Sequence, residues 1–85
     1  MHKKTELALT NVKAFRTELG MNQTQFWPLF GTTQSGGSRY EHNREIPEPV
    51  AMLLVLFSSG VISKEDLEEA AGTVEKSRGK QFGSP

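Results

Sequence analysis

The sequence predicts an all-α fold, a bundle of about five short helices. Apolar residues recur at intervals of three and four in several short stretches, which is the spacing of an amphipathic helix. Capping residues and glycines lie at the ends of these stretches, and prolines mark further boundaries. With 85 residues, the chain has room for one small domain.

The first helix is indicated by a short apolar face. Val12, Phe15 and Leu19 share one side at helical spacing, which predicts a helix from about residue 10 to residue 19. Gly20 follows at the place where a left-handed residue commonly ends a helix.

The second helix is predicted to begin at Gln23. Asn22 before it is a favourable N-cap, and Gln25 can return the second hydrogen bond of a capping box. Pro28 removes one helical hydrogen bond, so the helix is expected to be short or kinked there. Gly31 supplies the turn that follows.

Three more helices are predicted after this turn. Thr32 or Thr33 can cap a third helix that runs to about Glu41. A fourth helix, over about residues 49–57, carries a proline in its first turn and a strong apolar stripe. Ser63 can cap a fifth helix, because acidic residues follow it in the first turn.

The domain formed by these helices is predicted to span residues 10–71. Residues 1–9 ahead of it are expected to be a flexible N-terminal arm. Residues 72–85 are polar with scattered glycines, a composition that is typical of a flexible tail.

Composition argues against several classes of protein. There is no cysteine, and the two histidines lack ligand spacing, so neither a metal site nor a cofactor is expected. The longest apolar run, residues 50–57, is far too short to span a bilayer. Lys3 and Lys4 are not followed by the apolar run of a signal peptide. A soluble, cytoplasmic protein is therefore predicted.

The charge is balanced overall and uneven along the chain. The formal net charge is zero, which counts against nucleic-acid binding because affinity for DNA depends on neutralising phosphates. Residues 1–47 nevertheless hold six basic and four acidic side chains, whereas residues 48–85 hold four basic and six acidic ones. The more basic half comes first, and the predicted second and third helices lie in it.

The stretch from Gln23 to Glu41 carries the functional signal. Two short helices joined by a tight glycine turn form a helix-turn-helix unit. The second helix of such a unit can lie in the major groove of double-stranded DNA with its N-terminal residues on base edges. The third predicted helix, about Thr33–Glu41, is therefore the candidate recognition helix.

This stretch and its flanks resemble the Xre/Cro and phage-repressor family of helix-turn-helix regulators. The resemblance covers roughly residues 10–57. It implies a lambda-repressor-like domain that binds double-stranded DNA as a homodimer and regulates transcription at a palindromic site. The matching residues are Arg16, Leu19–Gln23, Phe30–Gln34, Arg39–Glu41 and Pro47.

Two residues depart from the pattern of that family. The family usually has a small residue where Trp27 stands and a branched apolar residue where Gly37 stands, and these positions touch in its packing. We therefore predict that Trp27 fills the space left by Gly37, an exchange that conserves core volume.

Exposed polar residues of the candidate recognition helix are the predicted base readers. A glutamine can pair bidentately with adenine, and an arginine can pair with guanine or hold a phosphate. The base-reading candidates are Gln34, Ser35, Ser38 and Arg39. The candidates for the DNA backbone are Gln23, Thr33, Asn43 and Arg44. Ordinary capping or surface roles are the alternative interpretation of each of these residues.

Two further inferences concern chemistry. Arg16 and Glu41 match a pair that bridges the first and third helices in the resembled family, which implies a structural ion pair. Ser35 and Ser38 have no organised histidine and carboxylate partner, and the lysine of a phosphate-binding loop is missing. No enzymatic activity is predicted.

A protein-interaction module is the competing interpretation. The zero net charge favours it, because the same fold can lose DNA binding and pair with a protein instead. An antitoxin or accessory factor would be such a protein. Steep salt dependence of DNA binding would favour the regulator.

Overall fold

The computed structural model describes residues 2–83, with side chains described for residues 2–78. Within residues 2–83 the chain is all-helical, with six α-helices, one 3₁₀ turn and no strand. The all-α prediction is confirmed, with one helix more than expected. In order, the elements are α1 (Lys3–Thr10), α2 (Val12–Glu18), α3 (Gln23–Phe26), the 3₁₀ turn (Trp27–Phe30), α4 (Gln34–Glu41), α5 (Glu48–Ser58) and α6 (Lys64–Gly83).

The N-terminal segment is a packed helix, so the expectation of a flexible arm over residues 1–9 is wrong. Helix α1 packs against α2 and α5. Thr5 and Ala8 are buried, and the Ser58 hydroxyl donates to the Thr5 hydroxyl at 2.9 Å. Small side chains form this buried face, and they give only a weak periodic signal in the sequence. Asn11 separates α1 from α2, so the first predicted helix begins at Val12 instead of residue 10.

Helix α3 begins as predicted and ends early at a proline. Asn22 and Gln25 form the capping box, with bonds of 2.8 and 3.0 Å. Because Pro28 lacks an amide hydrogen, the chain continues from α3 as a 3₁₀ turn. Gly31 then ends the turn in the left-handed conformation, at φ 72°, which glycine adopts without steric cost.

The last helix is longer than the sequence indicated. Ser63 and Asp66 form the predicted type of N-terminal cap, but α6 continues to Gly83 through the segment expected to be a tail. Good helix formers such as glutamate, lysine, arginine and glutamine outnumber the glycines there. Residues 72–78 are exposed, and Ser84 and Pro85 lie outside the described residues. None of the helices in residues 2–83 combines the length and apolar character needed to cross a bilayer.

The core is aromatic and lies where α2, α3, the 3₁₀ turn and α5 meet. Phe26 stacks edge-on against Phe15 and Trp27, with ring centroids 6.2 and 5.0 Å apart. Phe57 brings α5 against Phe15 and Phe30 in the same edge-on geometry. Edge-to-face pairs of this kind stabilise a core beyond their buried area. The buried apolar side chains are Ala8, Val12, Phe15, Phe26, Trp27, Phe30, Leu54 and Leu67.

The contact between Trp27 and Gly37 has the form that the sequence predicted. Gly37 is buried in α4, and a Cβ atom added to it would overlap the Trp27 ring. The absence of a side chain at this position therefore lets α4 lie directly on the indole. Trp27 in turn is fully buried.

This contact generates a stability prediction. Gly37→Ala is expected to lower the free energy of unfolding by about 1–3 kcal/mol, because the new methyl group overpacks the site. Gly72→Ala is the control, since a Cβ atom there meets nothing within 4 Å, and it should stabilise the helix by up to about 1 kcal/mol. Urea unfolding followed by circular dichroism measures both. A Gly37→Ala variant as stable as the wild type would contradict this packing.

Candidate DNA-binding site

Helix α4 turns a polar face to solvent. Thr33 is its N-cap, and the Thr33 hydroxyl accepts from the Gly36 amide at 3.0 Å. Gln34, Ser35 and Arg39 are exposed, whereas Ser38 is half-buried. The structure thus places the four predicted base readers on one helix, three of them exposed.

The inner end of α4 is fixed by the side chain of Glu41. This carboxylate is completely buried and accepts four hydrogen bonds from three residues. Arg16 donates through Nε at 2.8 Å and through Nη2 at 3.0 Å. Gln23 donates at 3.0 Å and the Trp27 indole at 2.8 Å. The carboxylate therefore ties α4 to α2, α3 and the 3₁₀ turn.

Arg16 is held as firmly as its partner. Its side chain is about 10% exposed, and its Nη1 donates to the Met21 carbonyl at 2.8 Å. The predicted ion pair between Arg16 and Glu41 is present, and the same guanidinium also fixes the turn between α2 and α3. Every buried side-chain nitrogen and oxygen in the described residues has a hydrogen-bond partner. A buried ion pair whose hydrogen bonds are all made holds its side chains, and the helices that carry them, in one arrangement.

The carboxyl group of Glu41 is kept in its charged form. Burial raises its pKa, but hydrogen bonds from Arg16, Gln23 and Trp27, together with the Arg16 charge, outweigh that effect. The pKa of Glu41 is therefore lowered from its ordinary value.

Two glutamines connect the buried network to the surface. Gln23, at the start of α3, donates to Glu41 and accepts a hydrogen bond from the Gln34 amide. The side chain of Gln34 thus has a defined direction on the exposed first turn of α4. Gln23 and Glu41 are 18 positions apart in the sequence, so local sequence spacing could not predict their hydrogen bond.

The loop after α4 carries the remaining candidates. Asn43 adopts the left-handed conformation at φ 70°, and the Arg44 amide donates to the Arg39 carbonyl at 3.1 Å. These contacts turn the chain immediately after α4. Both side chains are exposed, so the structure brings Asn43 and Arg44 to the C-terminal end of the candidate recognition helix.

Comparison with known families decides the class of this domain. The profile of the RsaL-like HTH domain matches residues 13–57, which is just over half of the chain. The chain belongs to the RsaL-like helix-turn-helix family. No curated protein and no solved structure matches it.

The RsaL-like match covers α2 through nearly all of α5, and so contains the Glu41 network and the exposed face of α4. It confirms the helix-turn-helix class, which indicates a DNA-binding regulator, a class of protein that is not typically enzymatic. The match does not support the Xre/Cro family specifically, so that finer assignment stays a prediction.

The RsaL-like domain should lose stability in acid because of Glu41. Since its folded-state pKa is lowered, the carboxylate stabilises the fold above the unfolded-state pKa of roughly 4.3, and this contribution disappears as the pH falls through the folded-state value. Glu41→Gln should cost about 3 kcal/mol near neutral pH by leaving Arg16 buried without its counter-charge.

Urea unfolding at a series of pH values measures this effect. The difference between wild type and Glu41→Gln should shrink as the pH falls below about 4. The exposed Glu45 provides the control, and Glu45→Gln should change stability by less than about 0.5 kcal/mol. A Glu41→Gln cost that stayed constant down to pH 2 would show that the charge of Glu41 is not what stabilises the fold.

Proposed function

We propose that this protein binds double-stranded DNA in a sequence-specific manner and regulates transcription, with α4 in the major groove. The observation that carries the proposal is the division of α4 into two faces. Its inner face is fixed by Glu41 and by the Trp27–Gly37 contact, while its outer face presents exposed polar side chains. A rigid helix with exposed hydrogen-bonding groups suits direct readout of bases.

Gln34 is the base reader that the geometry supports best. Its amide nitrogen carries two hydrogens, and the bond to Gln23 uses one of them. The second hydrogen and the carbonyl oxygen remain available for N7 and the N6 amino group of adenine. Ser35 and Ser38 supply short donors beside it, and Arg39 supplies a fork for guanine one turn later.

The proposed backbone contacts surround α4. The Thr33 hydroxyl uses its oxygen to cap α4, so its hydrogen remains free to donate to a phosphate. Gln23 retains one amide hydrogen beyond the one it gives to Glu41. Asn43 and Arg44 contact the backbone from the loop beyond α4. Such contacts set the register of the helix on the duplex.

A homodimer on a palindromic site completes the proposal. One short helix reads few base pairs, and two copies related by a two-fold axis read two half-sites. The helices after Pro47 are the proposed dimer surface, and steric control of transcription in the cytoplasm is the proposed mode of action. Membership of the Xre/Cro family belongs to this proposal as its finer assignment.

The zero net charge favours one alternative function. A protein-interaction module such as an antitoxin or accessory factor would bind its partner with weak DNA affinity or none. The exposed apolar side chains of α5 also fit this alternative.

The test is titration of a randomised duplex pool followed by fluorescence anisotropy at two salt concentrations. We expect binding that weakens at higher salt and a selected palindrome. Arg39→Ala should weaken binding to the selected site by about tenfold and relax the base preference at one position. Lys4→Ala is the control. It removes the same charge from the first turn of α1 and should leave the affinity within about twofold.

Arg44→Ala separates backbone contacts from base contacts in the same assay. It should weaken binding to all sequences by a similar factor and reduce the salt slope by about one. If the folded protein bound no duplex even at low salt, the DNA-binding proposal would be wrong and the interaction module would replace it.

A further inference from the structure

Helix α5 is apolar on every side yet only partly buried. Between Val50 and Phe57 it contains no polar residue. A helix that is hydrophobic all round is normally enclosed by other protein. Here Met52 is 60% exposed, and Leu56 and Val55 are nearly 40% exposed. Met52 and Leu56, four residues apart, form an exposed ridge along α5.

An apolar cleft lies directly beside this ridge. Helix α6 packs against the 3₁₀ turn, and the cleft between α6, that turn and Leu53 of α5 has a volume of about 440 Å³. Leu53 lies at the border, since it lines both the cleft and a second apolar hollow that Met52 and Leu56 also line. The other apolar residues of the cleft are Leu29, Phe30, Leu67, Ala70, Ala71 and Val74.

Helix α6 is polarised in charge along its length. Its first half holds four acidic residues and one basic residue, while its second half holds three basic residues and one acidic residue. The acidic residues of the first half are Glu65, Asp66, Glu68 and Glu69. The basic residues of the second half are Lys76, Arg78 and Lys80. Two such helices attract each other when they lie antiparallel.

We propose that the cleft is filled by a second copy of this chain, with the two α6 helices packed antiparallel across a two-fold axis. This interface would be that of the homodimer proposed above, and its role in DNA binding rests on that proposed function. A two-fold interface is self-complementary, so each copy must offer both a ridge and a groove on the same surface. The exposed ridge of Met52 and Leu56 and the cleft satisfy that requirement, since Leu53 lies beside both.

The length of α6 supports the same partner. At 20 residues it is about 30 Å long, and its residues 72–78 are exposed on the isolated chain. A helical segment without tertiary packing is marginally stable in water, and Gly72 weakens this one further. A second α6 laid along Ala71 and Val74 supplies the missing contacts. No residue of α3 or α4 lines the cleft, so the pairing leaves the recognition face uncovered.

The test is sedimentation equilibrium of the full chain without DNA. We expect a monomer–dimer equilibrium for the wild type. Val74→Asp should raise the dimer dissociation constant by about tenfold or more, because it places a carboxylate in the apolar contact. Val61→Asp makes the same change at a more exposed valine outside the cleft, 67% against 49%, and should leave the constant within about twofold.

Two further measurements test the orientation of the α6 helices and separate dimerisation from DNA binding. Arg78→Glu should weaken the dimer, and high salt should weaken the wild-type dimer, if the helices are antiparallel. A wild type that stays monomeric, or a dimer unaffected by Val74→Asp, would overturn the proposal. A dimer strengthened by Arg78→Glu would do so as well. The affinity of the Val74→Asp variant for a duplex with a single half-site is measured separately by fluorescence anisotropy. A variant that no longer dimerises but still binds this duplex has lost the dimer and kept DNA binding.

Discussion

The buried carboxylate of Glu41 is the contact on which the position of α4 depends. An ionised group without water is costly unless hydrogen bonds and an opposite charge replace the lost hydration. Arg16, Gln23 and Trp27 supply both, and each belongs to a different element. Since the carboxylate has optimal partners in only one arrangement, the network selects a single orientation of α4 against the rest of the domain.

The Trp27–Gly37 contact fixes the same helix from its middle. A bare α4 backbone at Gly37 lets the helix lie directly on the indole. The indole nitrogen then reaches Glu41 at 2.8 Å, so one side chain serves both the apolar contact and the polar network. Packing and electrostatics thus agree on the placement of α4, which is the kind of consistency that specifies a unique fold. Gln23 extends this order to Gln34 at the surface.

Local signals in the sequence were sufficient for the helix-turn-helix. The capping box at Asn22, the turn at Gly31 and a threonine cap for α4 each act within a few residues. Each is present, and the cap is Thr33, one of the two threonines that were candidates. Helix α1 was missed because small residues form its buried face, and small residues give a weak periodic signal. The extent of α6 was missed because polar composition was interpreted as disorder.

The links within the site could be anticipated only in part. The pairing of Arg16 with Glu41 and of Trp27 with Gly37 was inferred through resemblance to a family, not from local spacing. The hydrogen bonds that Gln23 makes to Glu41 and Gln34 join residues 18 and 11 positions apart. No period or motif reports such contacts, since they exist only once α3 and α4 are packed together.

The central claim is that a fixed α4 presents its outer face to DNA. Titration of the ¹⁵N-labelled protein with a selected duplex, followed by amide chemical shifts, tests it most directly. We expect the largest changes at Thr33–Arg39 and at Asn43 and Arg44, with the amides of α1 almost unchanged. Large changes confined to α5 and α6, with α4 unaffected, would contradict it.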